Sequence, residues 1–262
     1  MLALRLLTAA IGVPLLVLAV WQGSYWLLAP VVIIAAVGTW EYHKLLSPII
    51  PTPPLIFSIA ITLGLTISGQ FEGAYLLITF GAAILASLAW QIVQQARHKA
   101  INSQLLGLAG PFYIGVPLSL AILLRDQTDG RDWLLVAILA TFAIDTSAYA
   151  VGKLIGKHNL APRISPRKTW EGVIGGLLGG VGAAFGLTLL MDLPMDTWKA
   201  VPFGLLLAVA AMVGDLAESW LKRTAGAKDS GTIVPGHGGV LDRTDSIVAT
   251  LVVAYFWVLW AL

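Results

Sequence analysis

The sequence predicts an all-α, polytopic integral membrane protein, and three observations carry that prediction. Of 262 residues, 58% are hydrophobic and only 11% charged, with a mean hydropathy of +0.85. A water-soluble domain carries about a quarter charged residues, so lipid must cover most of this surface. The apolar residues fall into nine runs near the length that crosses a bilayer, and polar residues collect between them. Ten tryptophans suit a chain that lies across two headgroup regions.

The runs lie at 4–21, 24–40, 54–70, 72–93, 105–124, 132–151, 171–191, 200–220 and 245–262. The first two are short and separated by Trp21 to Gly23, which predicts a tight helical hairpin. Pro14 and Pro30 lie inside spans, where neighbouring groups can satisfy the freed carbonyls. Arg5 before an apolar run resembles the start of a signal peptide. No convincing small-x-small site precedes Trp21, so the run reads as a retained helix. Residues 1–131 form five N-terminal spans, and residues 132–262 form a C-terminal region that carries the chemistry. The two longest polar stretches are 152–170 and 221–244.

Orientation follows from Lys and Arg in the loops. With the N-terminus cytoplasmic, thirteen of the sixteen fall inside, leaving Arg125, Arg131 and Lys199 outside. Moving the span count by one scrambles this partition. The expected placement is an inner, cytoplasmic membrane with the C-terminus outside. Zero cysteines exclude disulfides, Cys-ligated zinc and thiol catalysis. A net charge of +2, with no basic run interleaved with aromatics, gives no reason to expect nucleic acid.

Residues 214–246 hold the densest chemistry. Asp215, Ser219 and Lys222 fall on one helical face, with Glu218 beside them. A carboxylate near a bilayer boundary is costly unless it meets a cation, a metal or water, which makes Asp215 a functional candidate. The glycine-rich stretch Gly236-His237-Gly238-Gly239 lets backbone N–H groups approach an anion closely. Lys222, Arg223, Lys228 and Arg243 flank it and would neutralise a polyphosphate. Asp242 and Asp245 are three apart at the start of the ninth span, and hard oxygen ligands of this kind suit Mg²⁺.

Each feature has a plainer reading. Asp242 can be a helix N-cap with Asp245 favouring the dipole. Glu218 and Lys222 can be an i, i+4 ion pair, and the glycines a simple turn. A lone His237 is more often a loop hydrogen-bonder than a ligand. Convergence on one loop, beside an acidic residue embedded in a span, points to a metal–nucleotide phosphate site. The second stretch starts at Asp145 and ends at Gly172, where Ser165, Arg167 and Lys168 can hold a phosphate. A basic loop attracted to anionic headgroups would look the same by composition.

The segment Ser219-x-Leu221-Lys222-Arg223-x4-Lys228-Asp229-x-Gly231-x2-Val234-Pro235-x-His237-Gly238-Gly239-x2-Asp242-Arg243-x-Asp245 resembles the signature of the phosphatidate cytidylyltransferases. Residues 160–172 and 145–149 resemble further family segments, and the likeness is close over roughly 140–262. Val234 and Ser147 depart from the usual residues without removing a chemical group. The resemblance implies that phosphatidic acid and CTP are the substrates and that CDP-diacylglycerol and pyrophosphate are the products. It also implies membrane lipid as the setting, Mg²⁺ with a second cation of open identity, and a homodimer. Carried onto this chain, Asp215, Asp242 and Asp245 would be the metal ligands. Lys222, Arg223, Lys228, Asp229, His237 and Arg243 would be catalytic. Ser165, Arg167, Lys168, Ser219, Gly238, Gly239 and Asp145 would bind or orient substrate. A CTP-dependent lipid kinase and a cation-coupled transporter are the competing readings. The transporter predicts inverted repeats and midplane charge, and neither is present in the sequence.

Overall fold

The computed structural model describes residues 2–50, 52–71, 73–95, 101–233 and 238–261. Among them are nine α-helices in the order of the nine apolar runs: α1 Leu2–Gln22, α2 Ser24–Leu46, α3 Leu55–Ser68, α4 Gly73–Gln95, α5 Ile101–Arg125, α6 Gly130–Ile155, α7 Trp170–Leu190, α8 Ala200–Thr224 and α9 Leu241–Ala261. Seven are long and apolar enough to cross a membrane. The shortest, α3, has 14 residues and spans about 21 Å at ~1.5 Å per residue, short of a hydrocarbon core of ~30 Å. The protein is an all-α polytopic membrane protein, and the exposed Leu77, Ile78, Leu85 and Ile92 of α4 present the apolar face that hydrocarbon accepts.

The chain divides into two compact units. The first comprises residues 1–123 together with 225–242. Its α1–α2 turn uses Gly23 at φ 67° and Ser24 at φ 45°, a left-handed pair that reverses the chain without a loop. Buried polar side chains join α2 to α3, where the Thr39 hydroxyl lies 2.9 Å from that of Thr62. The Tyr42 hydroxyl donates to the Leu106 carbonyl of α5 at 2.6 Å, five residues before Pro111. Residues 225–242, which carry much of the glycine- and charge-rich stretch, group with these N-terminal helices.

The second unit comprises residues 124–224 and 243–262. Its helices pack closely because glycines line α7. A Cβ at Gly175 would sit 2.6 Å from Val151 of α6, and one at Gly180 would sit 2.6 Å from the Gly204 carbonyl of α8. Phe203 of α8 stacks on Trp257 of α9 at 5.0 Å and meets Trp133 of α6 edge-on at 5.9 Å. The buried hydroxyls of Thr141 and Thr250 join α6 to α9 at 2.7 Å.

The polar stretch between α6 and α7 is not the open loop its composition suggests. It contains an antiparallel hairpin of β1 Asn159–Ala161 and β2 Ser165–Thr169. The Glu171 carboxylate accepts from the backbone N–H groups of Lys157 and His158 at 3.1 and 3.3 Å and pairs with His158 Nδ1 at 2.6 Å. Thr169 caps α7 by accepting from Gly172 N–H at 3.1 Å. The hairpin is thus fixed at the point where it enters α7.

Candidate active site

In the second unit, α6, α8, α9 and the hairpin bring charged side chains together. Asp215 stands on α8, and its Oδ2 pairs with Lys168 Nζ of β2 at 2.7 Å. The Ser219 hydroxyl, one turn on, donates to Asp215 Oδ1 at 3.3 Å. Asp215 also repels Asp145 of α6 and Asp245 of α9. Lys168 and Arg243 attract Asp145, and Lys222 attracts Asp245. Three carboxylates and three cations therefore interact across four elements.

Gly214 explains how α8 and α9 come so near one another. A Cβ there would lie 3.0 Å from that of Ala249 and would strike the Asp245 carbonyl oxygen, so the glycine lets the helix backbones meet beside the two aspartates. Lys222 also pairs with the fully buried Glu218, the i, i+4 partner that its spacing allows. Arg223 Nε donates to the Ile164 carbonyl at 3.3 Å, holding the turn of the hairpin to the end of α8. Of the hairpin residues read as phosphate binders, Ser165 and Lys168 are half-buried and Arg167 is exposed.

A second group lies in the first unit, around the segment that leads into α9. Oδ2 of the buried Asp242 accepts from Ser230 N–H at 2.9 Å, the Ser230 hydroxyl at 2.9 Å and Gly239 N–H at 2.8 Å. Gly238 has φ +90°, which a side chain would strain, and Gly239 spends its N–H on Asp242. Lys228 and Asp229 are exposed beside this segment. His237, with residues 234–236, lies outside the described residues.

The sequence reading missed Glu41. This residue of α2 is fully buried, and its carboxylate accepts from Val240 N–H at 3.1 Å and Leu241 N–H at 2.8 Å. The Ser230 hydroxyl lies 3.3 Å from Glu41 Oε2, so it bridges two carboxylates. The expected second span ended at residue 40, which left Glu41 looking like part of a solvated loop. The helix in fact runs to Leu46. An acidic residue in an apolar helix was the signal that could have found it, the same one that singled out Asp215.

Among the described residues, no three His, Cys, Asp or Glu side chains are gathered as a ready-made metal cage. Mg²⁺ usually takes one or two carboxylates and completes its shell with water and substrate phosphates. Asp145, Asp215 and Asp245 of the second unit repel one another and are oxygen donors of the kind such an ion takes, although Lys168, Arg243 and Lys222 already face them.

A family model described as the Cytidylyltransferase family matches residues 3–260. A phosphatidate cytidylyltransferase of Brucella abortus is 39% identical over 190 residues, covering 71% of this chain and 66% of the relative. One from Mycobacterium leprae is 36% identical over 223 residues, covering 79% of this chain and 70% of its own length. One from Mycobacterium bovis is 31% identical over 261 residues, with coverages of 94% and 84%. The match to the Brucella protein thus spans about two thirds of that protein's length, whereas the match to the M. bovis protein runs through nearly all of this chain. With a family match that begins at residue 3 and ends at residue 260, the chain belongs to the Cytidylyltransferase family.

Proposed function

We propose that this chain transfers the cytidylyl group of CTP to phosphatidic acid, forming CDP-diacylglycerol and pyrophosphate at the cytoplasmic face of a bacterial inner membrane. The observation that carries the reading is the family match over nearly the whole chain, with relatives named phosphatidate cytidylyltransferase. The cluster of Asp145, Lys168, Asp215, Lys222, Arg243 and Asp245 supplies the charges this chemistry needs. Counted with all nine helices as spans, thirteen of sixteen Lys and Arg residues lie on the side of the N-terminus, which supports the cytoplasmic orientation.

An oxygen of the lipid phosphate attacks the α-phosphorus of CTP, and the bond from that phosphorus to the β-phosphate oxygen breaks. The attacking oxygen is already anionic at neutral pH, so the protein needs to supply no nucleophile. Its work is positioning and charge neutralisation. Lys222, Arg223 and Arg243 of the second unit hold phosphate oxygens and stabilise the departing pyrophosphate, and the resemblance alone gives Lys228 a phosphate-binding role. Lys168, borne on the hairpin, shares its charge between Asp215 and substrate phosphate, while Ser165 and Arg167 flank it. Asp215 and Asp245 of the second unit would hold Mg²⁺, and the ion, when bound, would offset phosphate charge and fix the geometry of the triphosphate; the resemblance alone gives Asp242 the same role. Asp145 orients this set from α6. The resemblance extends to a homodimer, which the mass of the detergent-solubilised protein would test.

The deciding experiment supplies purified protein in mixed micelles with phosphatidic acid, Mg²⁺ and CTP labelled on the α- or γ-phosphate. Label from the α-phosphate in the lipid, with pyrophosphate released, is the expected result. Label from the γ-phosphate in the lipid would make the protein a CTP-dependent kinase. Transfer of neither, by protein that binds nucleotide, would overturn the reading.

A further inference from the structure

The geometry points to Glu41 as a positioning residue for the reaction, acting through the segment that carries Asp242. This inference rests on the proposed cytidylyl transfer for its kinetic consequence, though not for its structural one. Two carboxylate oxygens of one fully buried side chain accept from the backbone N–H groups of Val240 and Leu241, and the Ser230 hydroxyl, shared with Asp242, lies 3.3 Å away; these residues are 189 to 200 positions further along the chain. Val240 N–H and Leu241 N–H are amides at the start of α9, and such groups have no partner within their own helix. Glu41 therefore caps α9 from a different helix. Asp242, the next residue, is gripped on Oδ2 by Ser230 and Gly239, and Ser230 reaches Glu41 as well. The position of the Asp242 carboxylate is set by a network whose fixed end is Glu41.

The glycines of this segment serve the same contact. A Cβ at Gly239 would lie 2.6 Å from Glu41 Oε2, and one at Gly231 would strike Glu41 Oε1. Bare backbone at both positions lets the carboxylate seat. A requirement that the sequence suggested for nucleotide binding is thus also met by an internal anion. Glu41, at 0% exposure, is too enclosed to touch a lipid or a nucleotide, so its influence passes through Ser230, Val240 and Leu241.

The test is Glu41→Gln in the full chain, with Glu41→Asp and Ser230→Ala alongside. The amide matches the shape but offers one acceptor oxygen and an NH₂. In either orientation it turns N–H groups toward a backbone N–H. A buried donor left without a partner shifts the local folding equilibrium by roughly ten-fold or more, which loosens the segment that carries Asp242. We expect kcat to fall about ten-fold or more with KM for phosphatidic acid unchanged, and unfolding temperature to fall by only about 2–10 °C, the cost of the unpaired donor itself. Amide hydrogen exchange should accelerate at 230–233 and 238–242 and stay unchanged in α3. Glu41→Asp keeps both acceptor oxygens and should recover part of kcat relative to the Gln variant. Parental kcat in Glu41→Gln, or unchanged exchange at 238–242, would overturn the assignment. So would faster exchange throughout the unit with a matching drop in unfolding temperature, since that is what a purely structural carboxylate predicts. If Glu41→Gln does not fold, Ser230→Ala decides, because it removes one link and must still lower kcat. The exchange readout needs no turnover, so failure of the proposed reaction in the parent protein is separable from failure of the Glu41 assignment.

Discussion

Replacing Asp215 by Asn should separate turnover from stability. The substitution keeps the side chain's shape and removes one negative charge. Three interactions change: the 2.7 Å pair with Lys168 is lost, and the repulsions of Asp145 and Asp245 are relieved. The Lys168 pair is partly exposed, with side-chain exposures of 23% and 35%, and a pair of that kind contributes roughly 0–1 kcal/mol. Relief of two like-charge contacts acts in the opposite direction. Folding stability should therefore stay within about 1 kcal/mol, a shift of about 2–4 °C in unfolding temperature for a chain of this size. Turnover has no such compensation. Asp215 would act through Mg²⁺, and loss of one preorganised electrostatic contribution to a reacting centre typically costs ~10²–10³ in rate, about 2.7–4 kcal/mol. The assay follows α-labelled CTP into lipid across a Mg²⁺ titration, with thermal unfolding measured on the same preparations. Parental rates at any Mg²⁺ concentration would refute the assignment of Asp215. An unfolding temperature lowered by far more than 4 °C would refute the separation.

Three further outcomes follow from the packing and charge described above. Gly204→Ala would place a Cβ 2.5 Å from the Gly180 carbonyl oxygen, where backbone cannot yield, so calorimetry should show a loss of about 1–3 kcal/mol. Gly239→Ala should reduce turnover with unchanged KM for phosphatidic acid, because the new methyl competes with Glu41 for the same space. Arg131→Ala removes a partly exposed pair with the adjacent Asp132, near the opposite end of α6 from Asp145, and neither turnover nor unfolding temperature should change.

The helices were legible because each apolar run is long and bounded by polar residues, and all nine runs correspond to helices. Their ends were less so. α2 continues six residues past the expected end through Glu41, Tyr42, His43 and Lys44, whose polarity mimics a loop although Glu41 and Tyr42 are buried. The hairpin at 159–169 was illegible because Pro162, Pro166 and three cations suppress any strand pattern. It forms through tertiary anchors, Glu171 below and Arg223 at the turn. In the site, the pairing of Glu218 with Lys222 and the link from Ser219 to Asp215 followed from helical spacing. The pair between Lys168 and Asp215, and the grip of Glu41 on α9, could not, because no local period relates residues 47 or 200 positions apart.

That separation of 200 positions has a consequence for biogenesis. Glu41 enters the membrane some 200 residues before Val240 and Leu241 are made. Throughout the interval its carboxylate must be solvated by water or headgroups, as its place near the end of α2 permits. Chains released before residue 240 would keep an acidic group with no internal donors in an otherwise apolar helix. Such chains would carry a chemical mark of incompleteness that membrane proteases could read.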